Sequence, residues 1–213
     1  RKFWEYMNNL QKRILTSFII LPLSIFFIFK GGYLLAFFLV FILLVGLKEL
    51  FSVFKKIKSI ILLSIILILS VFCIYHLRGQ AEYLLYFAIA VTISSDIGGY
   101  IFGKIFKWKK LTKISPKKTY SGVFGSYLFS VIFLFIWVEL ISSDFHISLN
   151  NLLLTIIFST IAQIGDLIIS YFKRLEKIKD TGKVLPGHGG IFDRIDGLMF
   201  VIISATIYYY LSV

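Results

Sequence analysis

A chain of 213 residues that is 58% hydrophobic and 18% aromatic, with a mean hydropathy of +0.88, holds more apolar surface than a soluble domain of its length can bury. Apolar runs long enough to cross a hydrocarbon core recur along it, its formal charge is +12, and its lysines and arginines lie in the segments before and between the runs. This excludes an ordinary soluble enzyme, and no nucleic-acid partner is expected.

The expected fold is all-α: a polytopic membrane helical bundle, read as one domain over 1–213. Residues 1–82 are expected to supply N-terminal membrane helices, and 83–213 the helices and cytoplasmic loops that carry the polar stretches read below. Seven spans are predicted, at 14–29, 33–47, 59–77, 83–103, 122–142, 149–172 and 197–213. The first follows Lys12 and Arg13 without a small-residue cleavage site, so a retained span is expected rather than a leader. It is separated from the second only by Lys30-Gly31-Gly32, which suits a tight helical hairpin or a re-entrant element. Cys73 lies inside the third run, where packing is its expected role. Basic residues gather on every second connecting segment, which places the N-terminus inside, the C-terminus outside, and the polar segments 104–118 and 173–196 together on the cytoplasmic face.

Four stretches depart from this apolar background. In "SSDIGGYIFGKIF", Asp96 is an acid within an apolar helix, and Gly99 and Gly103 form a small-xxx-small pair suited to close helix packing. That face also permits a homodimer. The segment 104–118 carries seven lysines and no acid, as a contact to anionic membrane lipids would require. Within it, "ISPKKT" is more ordered than a basic tail: Pro116 presets a turn that sets Lys117 beside Lys118, a pair suited to a phosphoanion. In "AQIGDLIISYFKR", Asp166, Ser170 and Lys173 share one helical face. At 1.5 Å per residue Asp166 would lie about 9 Å below the end of its span. An acid at that depth is costly and is read as functional.

The fourth stretch, "KDTGKVLPGHGGIFDRID", runs from 179 to 196. Gly187, Gly189 and Gly190 let backbone N–H groups turn toward an anion, and the turn feeds a helix N-terminus, which favours phosphate. Asp193 and Asp196 share a face of that helix and suit Mg²⁺, which takes one or two carboxylates together with phosphate oxygens. His188 stands between glycines in this cluster, suited to phosphate contact or proton transfer. His76 and His146 are isolated and support no site.

These residues resemble the phosphatidate cytidylyltransferase (CDP-diacylglycerol synthase) family. "SYFKRLEKIKDTGKVLPGHGGIFDRID", Ser170 to Asp196, is similar to the family signature S-x-x-K-R, K-D, P-x-H-G-G, D-R-x-D. "SDIGGYIFGKIF" and "ISPKKTYSG" resemble its upstream elements. Two positions depart: Ser121 and Ile169 stand where the family usually has Glu. The chain is also short for the family, which implies a span or two fewer in its N-terminal half. If Ile169 merely replaces a family acid, Ile169→Glu should be tolerated; if it is packed, folding should collapse.

The resemblance implies attack of a phosphatidic acid phosphate oxygen on the α-phosphorus of CTP, giving CDP-diacylglycerol and pyrophosphate at the cytoplasmic side of the cell (inner) membrane. The implied cofactor is Mg²⁺, with K⁺ as a second ion. Asp166 and Asp193 are the first metal-ligand candidates, followed by Asp196 and Asp96. Lys173, Arg174, Lys179 and Arg194 are expected to neutralise the triphosphate. Lys117 and Lys118 serve either the lipid phosphate or CTP, with Ser115, Thr119 and Asp180 as neighbouring binding residues. Two alternatives accompany this reading: CTP-dependent activation of another lipid phosphate, and an ion-coupled membrane transporter.

Overall fold

The computed structural model describes residues 9–140, 146–182 and 189–212. These residues form helices α1 (Asn9–Lys30), α2 (Gly32–Val53), α3 (Ile57–Gln80), α4 (Glu82–Phe106), α5 (Tyr120–Leu140), α6 (Leu149–Leu175) and α7 (Phe192–Ser212). Six of them, α2 to α7, are long and apolar enough to cross a membrane, whereas the qualifying apolar part of α1 is the shorter stretch Phe18–Lys30. The all-helical membrane bundle expected from the sequence is therefore the architecture observed. Phe18, Phe37, Leu44, Phe72 and Leu211 are among many large apolar side chains left uncovered by protein, as lipid-facing positions would be.

The helix ends follow their local chemistry. The α1–α2 break falls at Gly31, whose φ of +65° suits a residue without Cβ, and the chain folds back so that Phe27 stacks on Phe38. The two helices thus form a tight hairpin about Gly31. Thr119 caps α5 by accepting from the Gly122 N–H at 3.1 Å, and Ser148 caps α6 by accepting from Asn151 at 3.2 Å.

Lipid tails are as apolar as leucine, so helices in a bilayer associate through close packing and polar ties. The α4–α5 crossing is the closest packed: a Cβ on Gly98 would lie 2.2 Å from the Gly125 carbonyl oxygen. Gly99 and Gly103 meet α5 and its cap, with Ser126, Gly122 and Thr119 as their neighbours. The small-residue face is thus covered within one chain and is not available for a homodimer. Ser95 joins three helices, sharing a 2.9 Å hydrogen bond with Ser159 while its carbonyl accepts from Ser126.

The apolar interior has two centres. One gathers Leu77, Leu85, Phe87, Leu134, Phe158 and Ile202, and includes Cys73 in the packing role expected of it. The other lies beneath the polar segments, where Leu50, Phe54, Leu63, Ile169, Phe192 and Met199 are buried together.

Candidate functional site

The site lies where the C-terminal ends of α2 and α6 meet the start of α7, with the 107–119 connection beside it. That connection is a small hairpin. Lys118 N–H donates to the Ser115 carbonyl at 3.0 Å across the Pro116-Lys117 turn, and Leu111 N–H donates to the Lys118 carbonyl at 2.8 Å. The turn predicted at Pro116 is present, and Lys117 is exposed at its tip. Ser115 contributes its carbonyl to this turn and donates its N–H to the Thr112 hydroxyl oxygen. Thr119 is used as the helix cap and bonds Ser121 at 2.9 Å. Ser121, one of the two departures from the family pattern, is buried in this polar contact.

Charged side chains form a chain through the site. Lys118 pairs with Asp166 and also donates to the Gln163 carbonyl. The carboxyl groups of Asp166 and Asp196 are neighbours close enough to interact. Lys173 lies between Asp196 and Asp193, its Nζ 3.9 Å from the first and 2.9 Å from the second. Asp96 lies within electrostatic reach of Asp166, Lys118 and Arg194, and protein leaves it and Arg194 uncovered. Neighbouring carboxylates repel, and cations beside them offset that repulsion. Among the described residues no three His, Cys, Asp or Glu side chains converge as a closed metal cage. The Asp166–Asp196 pair fits Mg²⁺ without one, because this ion accepts one or two carboxylates and completes its shell with phosphate oxygens and water. The Lys118 ammonium on Asp166 already marks this as a place for positive charge.

Several of the site candidates have partners within the protein. Asp193, expected as a metal ligand, has protein donors on both oxygens: Lys173 on Oδ1, and the N–H groups of Thr181 (2.7 Å) and Gly190 (3.0 Å) on Oδ2. Lys173 is 8% exposed and belongs to this internal ion pair. Arg174 binds backbone carbonyls, donating to Ile114 at 3.3 Å and Ile178 at 2.6 Å, and so ties the hairpin to the loop after α6. Lys179 and Asp180 are exposed on that loop. Gly189 has a φ of +94°, which explains glycine there. Gly187 and His188 lie outside the described residues.

The helix start expected to cradle phosphate instead holds a carboxylate of the chain itself. Glu49, near the end of α2, accepts from the N–H groups of Ile191 and Phe192 at 3.0 Å each, with the Thr181 hydroxyl 3.5 Å away. A second acid, Glu176, accepts from the Lys56 N–H at 3.0 Å and binds the loop to the α2–α3 turn. Glu49 is missed by sequence reasoning because ending the second span at 47 puts it in a loop, where an acid attracts no notice. In the structure α2 continues to Val53. The available signal was an acid within a helix that crosses the membrane.

This arrangement of acids and bases can be set beside known proteins. The model of the cytidylyltransferase family matches residues 52–212, which include Asp96, Lys118, Asp166, Lys173, Asp193 and Asp196. The chain belongs to the cytidylyltransferase family. It is 44% identical over 131 residues to a phosphatidate cytidylyltransferase of Staphylococcus saprophyticus, covering 61% of this chain and 50% of the relative. Similar matches are found with proteins of the same name from Staphylococcus epidermidis (42% over 130 residues, 60% of this chain and 49% of the relative) and Staphylococcus aureus (39% over 130 residues, with the same coverage). The chain spans about half the length of the curated relatives it matches.

Proposed function

We propose that this cytidylyltransferase-family chain transfers the cytidylyl group of CTP to phosphatidic acid, releasing pyrophosphate and forming CDP-diacylglycerol. The observation that carries the reading is the Asp166–Asp196 carboxyl pair, flanked by Lys118 and Lys173 at the end of membrane helices. The nucleophile in such a reaction is a phosphate oxygen that is already anionic, so no strong general base is needed. The protein has to bring polyanions together and compensate their charge in line.

In this reading Asp166 and Asp196 hold Mg²⁺, with Asp96 near enough to complete the acidic wall. The ion would neutralise charge on the triphosphate. Lys117, Lys179 and Arg194, all exposed, are the cations presented to the phosphates. Asp193 and Lys173 are buried and hold the start of α7 in place. In this reading the face is turned to the cytoplasm, where CTP is found, and the membrane is the cell (inner) membrane; the positive-inside distribution of lysines supports that orientation. Phosphatidic acid and other membrane lipids would approach along the uncovered helix faces. A homodimer would have to use a surface other than Gly99/Gly103.

The test is transfer of label from [α-³²P]CTP into the organic phase by purified protein in detergent, with phosphatidic acid and Mg²⁺. Label should move with phosphatidic acid and stop when EDTA is added. Transfer only to a different lipid phosphate would replace the substrate, and no transfer to any lipid phosphate would refute the reading.

A further inference from the structure

Glu49 stands outside the stretch matched by the family model, which begins at residue 52, yet it touches the polar centre of the molecule. It is 3% exposed. Its two oxygens take the two amides that open α7, and its side chain fills the space beside two glycines. A Cβ on Gly190 would lie 2.4 Å from Glu49 Oε2, and one on Gly182 would lie 2.8 Å from Oε1. Next to it, Leu50 is packed with Ile169 and Phe192, so the helix that presents Glu49 is itself fixed against α6 and α7.

The contacts of Glu49 and Asp193 interlock. Thr181 gives its hydroxyl toward Glu49 and its N–H to Asp193, while Gly190, whose N–H binds Asp193, lies against Glu49. Asp193 in turn holds Lys173, which reaches Asp196. A carboxylate at a helix N-terminus is favourable for the helix dipole and for the otherwise unsatisfied amides. Here the same carboxylate fixes the direction in which the first turn of α7 presents its acids.

We infer that Glu49 is a positioning residue of this site: from α2 it holds Thr181, Gly190 and the start of α7 so that Asp193 and Asp196 meet Lys173 and Asp166. It touches no substrate in this role. The kinetic arm of its test rests on the transfer reaction proposed above, and the exchange arm does not.

The experiment compares the full chain with Glu49→Gln and with Leu39→Ala, a buried position on the same helix away from the site. Residue-resolved amide hydrogen exchange, thermal unfolding and steady-state transfer are measured in detergent. Glu49→Gln should speed exchange at least tenfold at Ile191 and Phe192. It should do so also at Thr181 and Gly190, whose amides bind Asp193 rather than Glu49. In the same variant kcat should fall at least tenfold with KM for CTP nearly unchanged. Leu39→Ala should lower the unfolding temperature and leave both the exchange at these amides and kcat near the parent values. Parent-like exchange at Thr181 and Gly190 in Glu49→Gln would overturn the inference. So would a loss of kcat in Leu39→Ala matching that of Glu49→Gln. If the parent chain transfers nothing, the proposed reaction fails, while exchange at Thr181 and Gly190 still decides the role of Glu49.

Discussion

Two polar segments border the site, and the balance of local and distant bonds differs between them, although Arg174 and Asp166 also reach the first. The 107–119 hairpin closes on its own backbone: Leu111 bonds Lys118, Lys118 bonds Ser115, and Tyr120 bonds Lys109. The described part of the α6–α7 connection relies on carboxylates that reach it from other places. Glu49 comes from α2, Asp193 from α7, and Glu176 ties it to the α2–α3 turn. A segment with local bonds tolerates local damage. One held by distant side chains fails when any of those side chains loses its place.

The sharpest way to break this contrast lies under the non-locally held segment. Ile169 is fully buried between Leu50, Phe192 and Met199. Ile169→Glu would place an unpaired carboxylate in that cluster, at a cost of about 3–5 kcal/mol. Loss of monodisperse, folded protein on size exclusion is expected, and normal folding would show that this floor is not packed as described.

Asp193→Asn should come next. It keeps the shape of the side chain but removes the charge that Lys173 and two amides share. Transfer activity should drop by roughly 10²–10³-fold, the scale for losing one preorganised charge contact in a site. The protein should still insert and fold, which far-ultraviolet circular dichroism and thermal unfolding would check. Pro116→Ala probes the other segment and should do least. It loosens a preset turn that has its own backbone bonds, for about 0.4–1 kcal/mol. Activity should stay within about threefold if the hairpin is locally encoded; a loss as deep as that of Asp193→Asn would erase the distinction between the two segments.

The same distinction explains what could be read in the sequence. The all-helical architecture, the Pro116 turn, the Gly31 break and the buried Cys73 follow from neighbours in the chain, so periodicity and turn chemistry reveal them, although six of the described helices and not seven are long and apolar enough to span. Asp166, Asp196, Lys118 and Lys173 stood out as charges in or beside apolar helices, and they do meet. The partners of Asp193 could not be foreseen, because an acid on the first turn of a helix suits a metal, a phosphate-bound cation or a backbone cap equally well. Glu49 was hidden by a span boundary drawn six residues short of the helix that carries it, since α2 runs on to Val53. Arg174 looked like a phosphate ligand by type. Its use on the carbonyls of Ile114 and Ile178 depends on two loops meeting in space.

The separation of Glu49 from Ile191, 142 positions along the chain, also sets an order of events during synthesis. At translation rates of about 5–20 residues per second the carboxylate is made roughly 7–28 s before the amides that will receive it. Over that interval the end of α2 has to rest at the water boundary with its acid hydrated. Docking of α7 then removes that water, so the polar centre forms only in chains whose α7 has arrived.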